Sequence, residues 1–240
     1  MMTRRCRVVV YLSAELGEGR LFRNLGRQMA AETDCLAGLG PVDVVVADPE
    51  PTEILTAEHR STEVRHALQR AIERAQGGVS VSRLRRNFAR DFDRRTDVDS
   101  GFGPGATSPG SVVVTTRDAI NRELELVRDN LRRLVVWMQT QPPVRAGVLI
   151  WMTGGFDLNP AEFYISRVEQ IDPVVARSLR ADSARFRLDE DLRWLIETAL
   201  SLSGFATGSG ASRWPSLSMA RIDNAMMAIT IVILSRRIPV

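Results

Sequence analysis

The sequence predicts an α/β protein built on a doubly wound, mostly parallel, Rossmann-like sheet flanked by helices in three layers. Three observations carry that expectation. Short β-branched apolar runs alternate with longer segments whose apolar residues recur at helical spacing, the order that builds parallel sheets with crossover helices. The run Val148–Thr153 is apolar at consecutive positions, which reads as a strand buried on both faces. It leads into Gly154-Gly155 and a polar loop closed by Pro160, at the kind of strand end where open parallel sheets bind ligands.

The elements follow in order. Arg7–Leu12 is β-branched and apolar and forms the first expected strand. Ser13–Gly19 is a small polar loop. Leu21, Phe22, Leu25, Met29 and Leu36 then repeat at helical spacing, predicting one amphipathic helix over about 19–38 that stops at Gly38 and Gly40. Val42–Ala47 is a second buried strand, halted by Asp48-Pro49-Glu50-Pro51, and Glu53–Thr56 is a short third. Ser61-Thr62-Glu63 opens a helix through Gln76, with Val64, Leu68 and Ile72 on one face.

Residues 79–114 read as an irregular, flexible insertion. They hold an Arg-rich segment, 83–95, followed by Ser100-Gly-Phe-Gly-Pro-Gly-Ala-Thr-Ser-Pro-Gly110, a composition that buries too little surface to order itself. Thr115 or Thr116 caps a long helix to about Gln141, whose stripe is Ile120, Leu124, Val127, Leu131, Leu134, Val135 and Met138. Val148–Thr153 is the fourth strand. A helix or two follow Pro160, and Leu188–Leu202 turns Leu192, Leu195, Ile196, Ala199 and Leu200 inward. Gly204–Gly210 and Ala225–Leu234 supply the last strands.

Composition bounds the function. The 240 residues, 44% hydrophobic and 25% charged, suit one globular domain over 1–240. All 32 basic residues are arginine, which excludes a Schiff-base lysine, a lysine base and the lysine of a phosphate-binding P-loop. The net charge is only +3, so the arginine bias reads as the habit of a GC-rich genome rather than a polyanion site. Cys6 and Cys35 lie in no metal-like cluster and are expected to be small buried thiols. His59 and His66 are the only histidines, which leaves little material for a hydrolytic triad or a zinc site. Trp137 and Trp151 fall on a helix and a buried strand, where core packing is their expected role.

No apolar signal core follows Met1–Arg7, which makes the cytoplasm the default expectation, with export if the chain is truncated at its N-terminus. Ala225–Leu234 is well short of the roughly 20 apolar residues of a membrane helix, so no insertion is predicted.

Three segments then sharpen the picture: Arg7–Leu12, Leu39-Gly-Pro-Val-Asp-Val-Val-Val-Ala-Asp-Pro49 and Val148–Pro160. Together, over about residues 7–165, they resemble a von Willebrand factor A-type domain of the bacterial VWFA-related kind. The resemblance implies a protein-binding, adhesion-type domain with a divalent cation at the top of the sheet. Such a site takes Asp-x-Ser-x-Ser after the first strand, a threonine from a later loop and an aspartate after the fourth strand.

This chain departs from that pattern. It reads Leu12-Ser13-Ala14-Glu15-Leu16-Gly17 at the first place and Thr153-Gly154-Gly155 at the last, and Thr115 or Thr116 stands in for the loop threonine. Mg²⁺ demands hard oxygens in octahedral order, and only Ser13, Glu15 and Asp157 are nearby candidates, so no metal or other cofactor is expected. The expectation is a degenerate metal-ion-dependent adhesion site on a non-enzymatic, metal-independent interaction domain. Its partner, an unidentified protein, would meet the strand-end loops through Ser13, Glu15, Thr116, Thr153, Asp157 and Asn159.

Each of these residues also has a plainer role. Asp157 and Asn159-Pro160 can simply form the turn that starts the next helix, and Glu15 can sit at a positive helix end. Two other functions stay open. One is a hydrolase-like enzyme in the same crevice, drawing on Ser13, Thr153 and Glu15, although no Gly-x-Ser-x-Gly elbow is present. The other is a polyanion or nucleic-acid binder through residues 83–95. There Leu84, Phe88 and Phe92 form an apolar stripe on a basic helix, while Asp91, Asp93, Asp97 and Asp99 dilute the charge. Gly17-Glu18-Gly19 lacks the third glycine of a dinucleotide fingerprint, since Phe22 occupies that offset.

Overall fold

A computed structural model describes residues 7–16, 19–75, 80–99, 109–142, 147–153, 156–202 and 229–233. The first strand is β1 (Arg7–Ser13), and it pairs in parallel with β2 (Val42–Ala47) on one side and β4 (Gly147–Met152) on the other. β3 (Pro51–Glu58) adds to β2 and β5 (Ile229–Ile233) adds to β4, giving the order β3-β2-β1-β4-β5. Both outer pairings are antiparallel, so the sheet is mixed rather than mostly parallel.

For β3 the cause lies in the chain itself. Only residues 48–50 join β2 to β3, and a parallel return needs a crossover of a dozen or more residues. β3 also extends beyond the expected four residues, and a register irregularity opposite Val42–Val45 accommodates Ala57 at φ 52°. Buried Asp43 pins that irregularity. One of its carboxylate oxygens accepts from the Ala57 N–H at 2.7 Å, and the other accepts from Arg7.

The helices lie around this sheet. α1 (Gly19–Ala31) and α2 (Thr33–Leu39) replace the single helix expected over 19–38. The break falls at Glu32-Thr33, where the Thr33 hydroxyl bonds back to the Ala30 carbonyl at 3.2 Å instead of leaving the ladder undisturbed. After the break Thr33 and Leu36 face inward and Cys35 is exposed, so the expected burial of that thiol is corrected. Cys6 lies outside the described residues, as do the side chains of Leu21, Leu25 and Leu200. α3 (Ser61–Arg74) buries Val64, Leu68 and Ile72 as expected; Gln76 lies outside the described residues.

Much of the expected insertion over 79–114 is helical. α4 (Val81–Asp99) starts where the Ser80 hydroxyl accepts from the Arg83 N–H at 3.3 Å, and its stripe docks Phe88 and Phe92 into the core. α5 (Pro109–Thr140) begins six residues before Thr115, because Pro109 suits the first turn of a helix and Val112 and Val113 find apolar partners. Residues 100–108 lie outside the described ones. α6 (Ala161–Glu169), α7 (Pro173–Ala181), a short 3₁₀ turn (Ser183–Phe186) and α8 (Asp189–Leu202) complete the order. Asp172 caps α7 by accepting from the Val174 and Val175 N–H groups, both at 3.0 Å. The expected strand Gly204–Gly210 lies outside the described residues, as do residues 225–228 and 234 of the last one.

Two cores form on alternate residues of the strands. Val8, Val10 and Leu12 join Val42, Val44 and Val46 with Phe22, Leu36, Val64 and Leu68. Tyr11, Val45, Leu149 and Trp151 join the stripes of α5, α6, α7 and α8. Trp151 is fully buried and Trp137 nearly so, each stabilising the fold by about 1.5–3 kcal/mol or more from apolar burial. This is an α/β fold.

Candidate functional site

β1 leaves for β2 on one side and is joined by β4 on the other, so the direction of winding reverses at its C-terminal end. A crevice is expected at such a switch point. The end of β1, the turn after it and the end of β4 bring Ser13, Glu15 and Thr153 to this place.

All three are engaged inside the protein. Ser13 is fully buried, and its Oγ accepts from the Trp151 indole N–H at 2.8 Å. Thr153 is buried and also has a partner. Glu15 sits in a short 3₁₀ turn over residues 14–16, and its Oε2 accepts from the Asn130 amide at 3.0 Å and from the Arg133 guanidinium. Charge-assisted bonds of this kind are stronger than neutral ones. Beside them Tyr11 OH, Asn130 Oδ1 and Arg133 Nε are buried without a partner among the described residues. Burial pushes the Tyr11 phenol well above its ordinary range, with Arg133 acting against the shift and Glu50 adding to it.

A second polar centre lies under α4. Glu123 of α5 is fully buried and accepts two bonds from Arg85, at 2.9 and 2.5 Å, and one from the Tyr164 hydroxyl at 2.8 Å. Arg85 also reaches Asp157 at 2.8 Å and lies 4.9 Å from the centre of the Phe163 ring. Burial alone would lower the Arg85 pKa, but the bonds and charges of Glu123 and Asp157 outweigh it and hold the guanidinium firmly charged. The Tyr164 phenol is pushed up by burial and then by the Glu123 charge. The arrangement is an ion pair whose fully buried carboxylate accepts three hydrogen bonds.

The six expected site residues therefore separate. Ser13, Glu15 and Thr153 share the strand ends. Asp157 is half-exposed and tied to Arg85. Asn159 forms the turn before α6, its carbonyl accepting from Glu162 at 3.2 Å while its Oδ1 is buried without a partner among the described residues. Thr116 does not join them. It is fully buried in the second turn of α5 and not in a loop, and fourteen residues of helix place it about 21 Å along the axis from Asn130. The early start of α5 at Pro109 is the reason.

The donor set fits a divalent cation poorly. Glu15 already carries a guanidinium, Ser13 Oγ faces an indole donor, and Asp157 is paired with Arg85. A serine nucleophile is equally badly served. His59 follows β3 beside the start of β2, at the opposite end of the sheet from Ser13, and His66 is exposed on α3. Of the arginines in 83–95, Arg85 is committed to the interior, while Arg83, Arg86, Arg90 and Arg94 are exposed beside Asp91 and Asp93.

Asn130, Arg133, Arg85, Glu123 and Tyr164 were not among the expected residues. Glu123 and Asn130 carry a readable signal. Each falls at i+3 or i−4 from stripe residues Ile120, Val127 and Leu134, so each is a polar residue on a buried helix face. No family model, curated protein or solved structure matches this chain.

Proposed function

We propose that this chain is a non-enzymatic protein-interaction domain of von Willebrand A-like type, in which an arginine closes the place a metal ion would take. The observation that carries this reading is the Glu15–Arg133–Asn130 cluster beside buried Ser13. A divalent ion entering there would have to strip Glu15 of two donors and sit beside the positive charge of Arg133. The strand ends are then a rigid platform rather than a reactive centre. In this reading the two apolar cores make the sheet the middle of three layers, wound in both directions from β1.

The partner-facing surface is the turn from β4 into α6, where Asp157 and Leu158 are exposed beside buried Phe156. Leu158 is the exposed apolar residue of that loop, and Asp157 is held in place by Arg85. The test is affinity capture with the full chain in excess EDTA, compared with a Leu158→Glu variant. A partner retained in EDTA and lost with Leu158→Glu supports the reading. A partner that needs added Mg²⁺, or one indifferent to Leu158, contradicts it.

A further inference from the structure

Away from the strand ends, the turn Ser183–Phe186, the first turns of α8 and Arg128 of α5 enclose an open cavity of 760 Å³. Its lining is unusual for a surface of scattered ion pairs. Trp194 is 45% exposed; Arg185 forms no salt bridge among the described residues, and Arg193 lends its charge to Asp189 one turn earlier on α8. Arg187 and Arg128 are neutralised by Asp189 and Asp191, at 2.6 and 3.1 Å. Glu190, Arg193 and Trp194 are spaced i, i+3, i+4 on α8 and so share one helix face.

We infer that this groove binds a nucleotide unit, a planar base joined through ribose to phosphate. Each part of that ligand meets a group suited to it. The exposed indole of Trp194 offers a face on which a base can stack. Arg185, and Arg193 beside Asp189, supply exposed guanidinium forks for phosphate oxygens, the chemistry arginine serves better than lysine. Glu190 offers a carboxylate that accepts hydrogen bonds from ribose hydroxyls. Four arginines against three carboxylates leave the groove one net positive charge, matched to a single phosphate rather than to a long polyanion. The inference is independent of the interaction-domain reading, because it uses none of the strand-end residues.

The experiment is calorimetric titration of the full chain with adenosine monophosphate, a short oligoadenylate, adenosine and inorganic phosphate. Adenosine monophosphate is expected to bind at least about tenfold more tightly than adenosine or phosphate, since base stacking and the arginine contacts act together. Trp194→Leu and the double variant R185Q/R193Q should each weaken it by about tenfold or more, while Trp194→Phe keeps it within about threefold. These side chains are exposed, so far-ultraviolet circular dichroism and an unchanged melting temperature will show that the variants fold. Equal affinity for oligoadenylate per site supports the single-nucleotide reading, and tighter oligoadenylate binding per site contradicts it. No heat at millimolar nucleotide, phosphate binding as well as the nucleotide, or affinity unmoved by the substitutions overturns the proposal.

Discussion

Arg85 is the residue whose loss should cost this fold most for its position near the surface. Its partner Glu123 is fully buried, and Arg85 supplies two of the three hydrogen bonds that its carboxylate accepts. Arg85→Met removes the guanidinium and leaves a buried charge with one phenolic donor. Breaking a buried pair in this way costs about 3–5 kcal/mol, because the remaining ion keeps its desolvation penalty. The salt bridge from Arg85 to Asp157 adds little, since that aspartate is 57% exposed. For a chain of 240 residues, each kcal/mol moves the melting temperature by about 2–4 °C, so a fall of about 6–20 °C is expected. Urea denaturation followed by circular dichroism gives the free energy directly. The triple variant R85M/E123L/Y164F, which removes charge and donors together, should return to the parent stability or exceed it. A loss below about 1 kcal/mol for Arg85→Met would refute the reasoning, since it would mean that Glu123 is not held in a dry interior.

Three further outcomes follow from local geometry. A Cβ added at Gly26 would lie 1.7 Å from Ile72 Cδ1 and 2.7 Å from Cγ1, so Gly26→Ala should destabilise by up to about 2 kcal/mol. That figure is an overpacking cost of about 1–3 kcal/mol less about 1 kcal/mol of helix propensity, and Ile72→Val, which removes Cδ1 but keeps Cγ1, should relieve part of it in a denaturation series. Ala57 has φ 52°, so Ala57→Gly should hold or raise stability by up to about 1 kcal/mol, while Ala57→Val lowers it by at least that much. Glu58 is held at a pKa of about 2 by the side-chain bond from Arg60 and the backbone N–H groups of Arg60 and His59. A carboxylate lowered in the folded state stabilises above its unfolded pKa, and that contribution disappears as pH falls toward 2. Carbonyl-detected NMR titration should place Glu58 near that value and show Arg60→Gln returning it toward the ordinary carboxylate range.

The strands that position the site are legible in the sequence because they are apolar at nearly every position, Asp43 of β2 and the ends of β1 excepted. β1, β2 and β4 stand within a residue or so of where Arg7–Leu12, Val42–Ala47 and Val148–Thr153 place them. The direction of β3 was legible too, but only through the length of the 48–50 connection, a signal that strand propensity does not contain. The apolar stripe of α4 was legible within a segment whose composition reads as an irregular insertion. The spacing of Leu84, Phe88 and Phe92 sets its structure more than charge does, and tertiary docking of the two phenylalanines decides the outcome. The cations of the two polar centres could not be read the same way. Arg85 and Arg133 are two among many arginines, and only their contacts with Glu123 and Glu15 in the folded chain pick them out. Their partners Glu123 and Asn130 were visible as polar positions on an apolar stripe. Asn130 also shows why Thr116 misled: both lie on one helix, fourteen of its 32 residues apart.

In the function we propose, Arg133 and not a metal ion balances Glu15 at the end of β1. The most direct test is the melting temperature of the full chain in EDTA and in millimolar Mg²⁺ or Mn²⁺. A specific ion at 100 times its dissociation constant would add about 2.7 kcal/mol. With a chain of this length that is a rise of about 5–11 °C. The account predicts no such rise. A rise of that size, abolished by Ser13→Ala or Asp157→Ala, would contradict it and return the ion to the site.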